Sequence, residues 1–281
     1  MKIILLPTDF SDSAWNAMFT ALKLYADLSY HFIILNSYEP DIANILGDKG
    51  KQRIGVIYDS MEKQSQLELD KIIAYLRAHH KNPNHTFEKV SMEDNLFTAI
   101  KNTILTHHIN CIIMGTTGAT GAKEVFIGSN TVRVLKSIRN RPIIVVPKEY
   151  SFQRLKRLVF PTNFLNYFEA SELNPMIELI RLWNAETYVF QVGTEFILSD
   201  LQNSNKLLLE KHFLGINHSF HNVSFKRDVA SAIANFANTN TADMIALIHY
   251  SHNFFEKLTR ESVVKKMGFH TNIPLMVLTE H

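Results

Sequence analysis

The sequence predicts an α/β protein made of two tandem, doubly wound, open parallel five-stranded sheets. Three observations lead there. Short apolar runs without polar alternation recur along the chain, as expected of strands covered on both faces. Segments with apolar residues at helical spacing separate them. The whole pattern then occurs a second time.

In the first copy the runs are Lys2–Leu6, Phe32–Asn36, Thr86–Val90, Cys111–Met114 and Ile143–Val146. Between the first two, Ala14, Met18, Ala21, Leu22, Tyr25 and Leu28 keep helical spacing, and Ser11 or Asp12 caps the start. Helical patterns return over 60–80 (Leu69, Ile72, Ile73, Leu76), 95–108 (Leu96, Ile100, Ile104) and 129–139 (Val132, Leu135, Ile138). The order βαβαβαβαβ specifies a doubly wound sheet. The second copy repeats it, with strands near 157, 187, 219, 244 and 275.

The repeat is visible residue by residue. Lys2-Ile3-Ile4-Leu5-Leu6-Pro7-Thr8-Asp9-Phe10 aligns with Lys156-Arg157-Leu158-Val159-Phe160-Pro161-Thr162-Asn163-Phe164, and Pro142–Val146 aligns with Pro274–Leu278. The polar stretch Glu149–Gln153 sets a boundary between a unit at 1–150 and a second at 151–281. Residues 39–59 have only a short counterpart after Gln191. An insertion this long is either a polar excursion or a lid or partner-binding loop, and both readings stay open.

Composition excludes several classes. With 46% hydrophobic residues in 281, the chain has the material for a packed core and is not intrinsically disordered. Its 29 basic and 27 acidic side chains give a formal charge of +2, without the basic excess that nucleic-acid binding by counterion release requires. The single cysteine, Cys111, lies in an apolar run and reads as a buried small hydrophobe. Pro7 and Asp9 stop the amino-terminal apolar run far short of a signal-peptide core, and no stretch approaches the roughly 18 apolar residues of a membrane span. A cytoplasmic location is the expectation.

The segment carrying most chemistry runs from Met114 to Thr131. Gly115, Gly118, Gly121 and Gly128 punctuate it, and a helical pattern begins at Ser129. Glycines let a backbone approach a ligand closely, and a helix start offers unpaired N–H groups and a positive dipole end. Taken alone the segment reads either as plain loop chemistry or as an anion cradle, to which Ser129 and Thr131 would add hydroxyls and Lys123 a charge. Neither a Walker A loop nor a dinucleotide fingerprint after the first strand is present.

The spacing Gly115-x2-Gly118-x9-Gly128-Ser129, the strands on either side, and the opening Ile4–Ser11 with its Pro7-Thr8-Asp9 together resemble the universal stress protein family. The resemblance covers the first 150 residues, and the second half through its repeat. It implies the adenine nucleotide alpha hydrolase-like, Rossmann-like form of the fold. It also implies ATP, with or without Mg²⁺, across the carboxyl edge of the sheet. Asp9 would then lie near the adenosine after Pro7 and Thr8, and Ser37 and Tyr38 beside the base. Met114, Gly115, Thr117, Gly118, Gly128, Ser129, Asn130 and Thr131 would lie around the phosphates. Asp9 also reads as a helix cap, and the two roles are compatible. The sequence departs from the family pattern at two places, Asn110 at the start of the fourth strand and Asn36-Ser37 at the end of the second, and these departures are expected to loosen adenine contacts.

The second copy has no glycine over Asp243–Ser262, and Arg260-Glu261 stands in place of Gly128-Ser129. One nucleotide site per chain is therefore expected. His249 and His252 are read as polar loop residues rather than a metal pair, for want of a third ligand; His79-His80 and His107-His108 are read at helix ends. Function is expected in stress response or regulation rather than metabolism, with at most weak ATP hydrolysis and no assigned catalytic residue. A nucleotide-free dimerisation scaffold is the alternative. The resemblance further implies an intrachain pseudo-dimer of the two halves, or a homo-oligomer, and a protein partner of unknown identity.

Overall fold

The computed structural model describes residues 1–39, 48–116, 128–193, 196–224, 229–249 and 272–279, with the backbone alone for 48–55, 193 and 249. Ten strands form one sheet. In the first half they are β1 (Lys2–Pro7), β2 (Tyr30–Tyr38), β3 (His85–Glu93), β4 (Cys111–Gly115) and β5 (Ile143–Val146). In the second half they are β6 (Arg157–Thr162), β7 (Glu186–Gly193), β8 (His218–Ser224), β9 (Met244–His249) and β10 (Leu275–Thr279). The spatial order is β3-β2-β1-β4-β5-β10-β9-β6-β7-β8. Each half is thus a parallel five-stranded sheet with the doubly wound order that the sequence predicts. The two join edge to edge through an antiparallel pair, Ile143 opposite Val277, Ile144 opposite Met276 and Val145 opposite Leu275.

The near-continuous apolar runs are explained by cover on both faces. On one face Ile4, Leu6, Phe32, Ile34 and Ile144 pack under α1 (Asp12–Leu24), α2 (Asp48–His79), α5 (Ala170–Trp183) and α6 (Asp200–His212). On the other, Leu5, Ile33, Leu35, Ile112 and Val145 pack under α3 (Leu96–Thr106), α4 (Ser129–Ser137) and α7 (Val229–Thr239). Cys111 is buried, and burial pushes its thiol up to about 12, as fits an inert core residue. No helix among the described residues is long and apolar enough to cross a membrane.

Three local readings change. First, α1 ends at Leu24, so Leu28 falls beyond it and is exposed. Second, α2 begins at Asp48, so the latter part of the 39–59 insertion is helical rather than an excursion, while 40–47 lie outside the described residues. Two glycines, Gly50 and Gly55, cost about 1 kcal/mol each in a helix, but each residue added to an existing helix gains a hydrogen bond, and Lys51, Gln52 and Arg53 favour it. Third, Asn110 sits at the amino end of β4, away from the carboxyl edge. Its Oδ1 accepts from Ile3 N at 2.8 Å, and Asp243 does the same for Lys156 N and Arg157 N in the second half. This position clamps the start of the first strand of each half, so its change cannot loosen contacts at the other end.

The histidine pairs do lie at helix ends. His79 Nδ1 is 3.0 Å from Tyr75 O in the last turn of α2, and His107 is the C-cap residue of α3. Beside His79, His80 Nε2 meets His85 Nδ1 at 2.8 Å, and His85 Nε2 meets Tyr25 O at 3.1 Å. This chain ties the ends of α2 and α1 to the start of β3. Burial holds the pKa of both His80 and His85 below the usual histidine value, so the fold favours their neutral forms. Their contribution is present above the unfolded value of about 6.5 and is lost as pH falls through the lower folded values. Urea unfolding is therefore expected to give a stability that declines from pH 7.5 to pH 5, with a flatter profile in His85→Gln, whose amide still serves Tyr25 O.

Candidate functional site

The carboxyl ends of β1 and β4 are adjacent in the sheet, but their chains leave toward opposite faces, β1 into α1 and β4 toward α4. Such a switch point opens a crevice. Here it is a cavity of about 130 Å³ lined by Pro7, Thr8, Asp9, Ala14, Ser37, Leu96, Met114, Gly115, Asn130 and Thr131. Eight of the thirteen residues singled out in the sequence are in that lining. Thr117 and Gly118 lie outside the described residues, as do Gly121, Lys123, His252 and the Arg260-Glu261 segment.

The turn after β1 is built by its own side chains. Thr8 Oγ1 accepts from Phe10 N at 3.0 Å, which accompanies a left-handed Phe10 at φ 65°. Asp9 Oδ1 accepts from Ser11 N at 3.1 Å and Ser11 Oγ at 2.6 Å, while Ser11 Oγ caps α1 by accepting from Ala14 N. Ser11 is thus the cap, and Asp9 supports it while its exposed carboxylate borders the cavity. Asn36 is buried and donates from Nδ2 to Thr8 O at 2.8 Å, so it fixes the end of β1 rather than addressing a ligand.

Across the cavity, α4 starts at Ser129 with Gly128 as its N-cap residue and no side-chain cap bond. Among the described residues its first-turn N–H groups therefore have no capping side chain, the arrangement that suits an anion. Ser129 and Asn130 are exposed there. Thr131 is buried, and its hydroxyl donates to Gly115 O at 3.1 Å, which pins α4 to β4. Gly128 has φ −61° and ψ 154°, a conformation open to any residue, so its dihedrals do not demand glycine.

Gly115 has a different reason. A Cβ there would lie 2.3 Å from Ser13 Oγ and 2.8 Å from Ser13 O, so glycine lets α1 seat directly on β4. Tyr38 is also reassigned. Strand alternation turns Ser37 into the cavity and Tyr38 to the opposite face, beside Ser91, where burial and then the carboxylates of Glu62 and Glu93 raise its pKa.

Sequence reasoning missed the neighbouring space. A second cavity of about 270 Å³ adjoins the first at Ser37, Leu96 and Asn130, and is further bounded by Glu39, Asp94, Asn95, Phe97, Arg133 and Val134. The Arg133 guanidinium lies 5.9 Å from the centre of the Phe97 ring. A signal existed: Arg133 is four residues after Ser129, hence on the same face of α4. Among the described residues no cluster of three metal-ligating side chains occurs.

In the second half the same turn recurs. Thr162 Oγ1 accepts from Phe164 N, Asn163 Oδ1 accepts from Leu165 N, and Phe164 has φ 56°. Over that turn lie the amides of α6: Gln202 Nε2 donates to Asn163 O at 2.8 Å and Asn205 Nδ2 to Phe164 O at 2.9 Å.

Comparison with known proteins places this geometry. The sequence profile of the universal stress protein family matches residues 1–147, more than half of the chain. A search of curated protein sequences gives no match. Among solved structures, a universal stress protein from Archaeoglobus fulgidus DSM 4304 is similar with a TM-score of 0.66 at 16% identity, covering 99% of this chain and 96% of that one. A functionally unknown protein from Pseudomonas aeruginosa PAO1 superimposes with a TM-score of 0.61 at 12% identity, covering 99% and 92%. The chain belongs to the universal stress protein family.

The Gly115 contact yields a prediction independent of any ligand. Gly115→Ala should lower the unfolding free energy by about 1–3 kcal/mol in urea without added nucleotide, because α1 must shift to admit the methyl group. An unchanged midpoint would mean that α1 does not seat as described.

Proposed function

We propose that this universal stress protein binds one adenine nucleotide, ATP in the first instance, in the crevice between β1 and β4, and acts in stress response or regulation rather than metabolism. The observation that carries the reading is the convergence of two helix starts, α1 and α4, on a cavity at the switch point of the parallel sheet. The uncapped first turn of α4 suits phosphates, and Asp9 and Ser37 suit the hydroxyls or base of the nucleoside. Among the described residues Asp9 is the one carboxylate in the first cavity's lining, so a Mg²⁺ ion there would take most of its ligands from the nucleotide phosphates and water.

The same reading assigns the two halves different tasks. The unit at 1–150 carries the site, and the unit at 151–281 is its structural counterpart. The α6 amides over the Asn163–Phe164 turn favour that division. Binding, not turnover, is the proposed activity, and the partner that reads it is a second protein.

Denaturing the purified protein and analysing the released small molecules is expected to give an adenine nucleotide. Titration of the stripped protein should then reach one site per chain, and Gly128→Val should weaken binding at least tenfold while leaving the far-UV spectrum unchanged. Two equivalent sites per chain, or full affinity in Gly128→Val, would contradict the proposal.

A further inference from the structure

The two outer edges of the ten-stranded sheet differ in a way that points to self-association. An edge strand presents a row of unpaired N–H and C=O groups, and proteins blunt it with charges, proline, bulges or cover. At one edge, β3 carries Glu88, Lys89 and Glu93. Lys89 is paired with Asp70 at 2.5 Å, and Glu88 lies 3.0 Å from His31 Nε2 and 3.5 Å from His107 Nε2. That edge is protected by charge.

Among the described residues the opposite edge has none of these devices. Strand β8 reads His-Ser-Phe-His-Asn-Val-Ser, seven residues without Lys, Arg, Asp, Glu, Pro or Gly. All seven pair in unbroken register with β7, from Thr187 opposite His218 to Gly193 opposite Ser224, so there is no bulge. Among the described residues β7 is its one strand partner, and every residue of β8 is half-buried or exposed. The Lys206 ammonium sits 4.7 Å from the centre of the Phe220 ring, which holds that charge to the face of the strand.

We propose that β8 pairs antiparallel with β8 of a second copy of this chain about a two-fold axis. Two features select that occupant over a foreign strand, and a third limits the assembly to two copies. The segment is free of formal charge, so self-pairing sets no carboxylate or ammonium against its like in any register. The same kind of contact already joins the two halves, where the charge-free strands β5 and β10 meet antiparallel. Because the β3 edge is charged, the assembly closes after two copies and does not grow into a filament.

Sedimentation velocity on the full chain over a range of concentrations tests this. The wild type should be a dimer, and Asn222→Lys, a change at an exposed position of β8, should raise the dissociation constant at least tenfold without altering the far-UV spectrum of the monomer. Amide exchange should show protection over 218–224 that grows with protein concentration, and none that does so over 85–93. A wild type monomeric at the highest concentration reached, a dimer unaffected by Asn222→Lys, or exchange over 218–224 that ignores concentration would overturn the proposal. These readouts do not depend on nucleotide.

Discussion

The antiparallel pairing of β5 with β10 sets the rest of the molecule. Each of these strands closes its own parallel sheet, and each is apolar on both faces and buried. Left alone, either would be an unprotected edge. Joined, they make one sheet whose two halves run in opposite directions, since every other strand pair is parallel. The carboxyl edge of the first half therefore lies on one rim of the sheet, and that of the second half on the opposite rim. Equivalent helices still share a face, α1 with α5 and α2 with α6. The linker reinforces the join: Asn16 Nδ2 donates to Pro147 O and Tyr150 O, Phe152 packs on Trp183, and Trp183 Nε1 donates to Leu24 O.

Two copies of one fold on opposite rims can diverge separately, and the turns after β1 and β6 show how. Pro-Thr-(Asp/Asn)-Phe makes the same turn in both, with the same Thr and Asp or Asn acceptors and a left-handed Phe. The motif is a device for leaving a strand and does not by itself mark a ligand. The two halves part company just beyond it. In the first half α1 starts at Asp12, close behind β1, and its first turn lines the cavity through Ala14. In the second, α5 waits until Ala170, and side chains of α6 occupy the carbonyls of the turn. Asn for Asp at position 163 alters charge and preserves geometry.

The fold was legible because its signals are periodic. Buried strands such as Phe32–Asn36 and Ile143–Val146 carry no alternation, and α1 and α3 carry clean helical spacing, so element type and order follow from the residues alone. Extents were less legible: the start of α2 at Asp48 rests on propagation from its packed carboxyl half, which no local pattern at 48–55 announces. Of the candidate residues, Pro7–Asp9, Ser37, Met114–Gly115 and Asn130–Thr131 come together around one cavity, a convergence the sequence made legible, while their individual contacts were less so. Gly115 answers to Ser13 across a helix contact, Asn110 to the amino edge, Tyr38 to the wrong face, and Thr131 to a strand carbonyl. Each is a tertiary fact that spacing along the chain does not encode. Arg133 and Phe97 come from different elements and meet only in the folded sheet.

The central claim is that the β1–β4 crevice of the first half takes the nucleotide and its counterpart on the opposite rim does not. Amide hydrogen exchange with and without saturating ATP tests it directly, since the two rims are read in one experiment. Slowed exchange is predicted over 9–16 and 128–134, with no change over 163–172 or 200–206. Protection at the second pair of segments, or none at the first, would contradict the account.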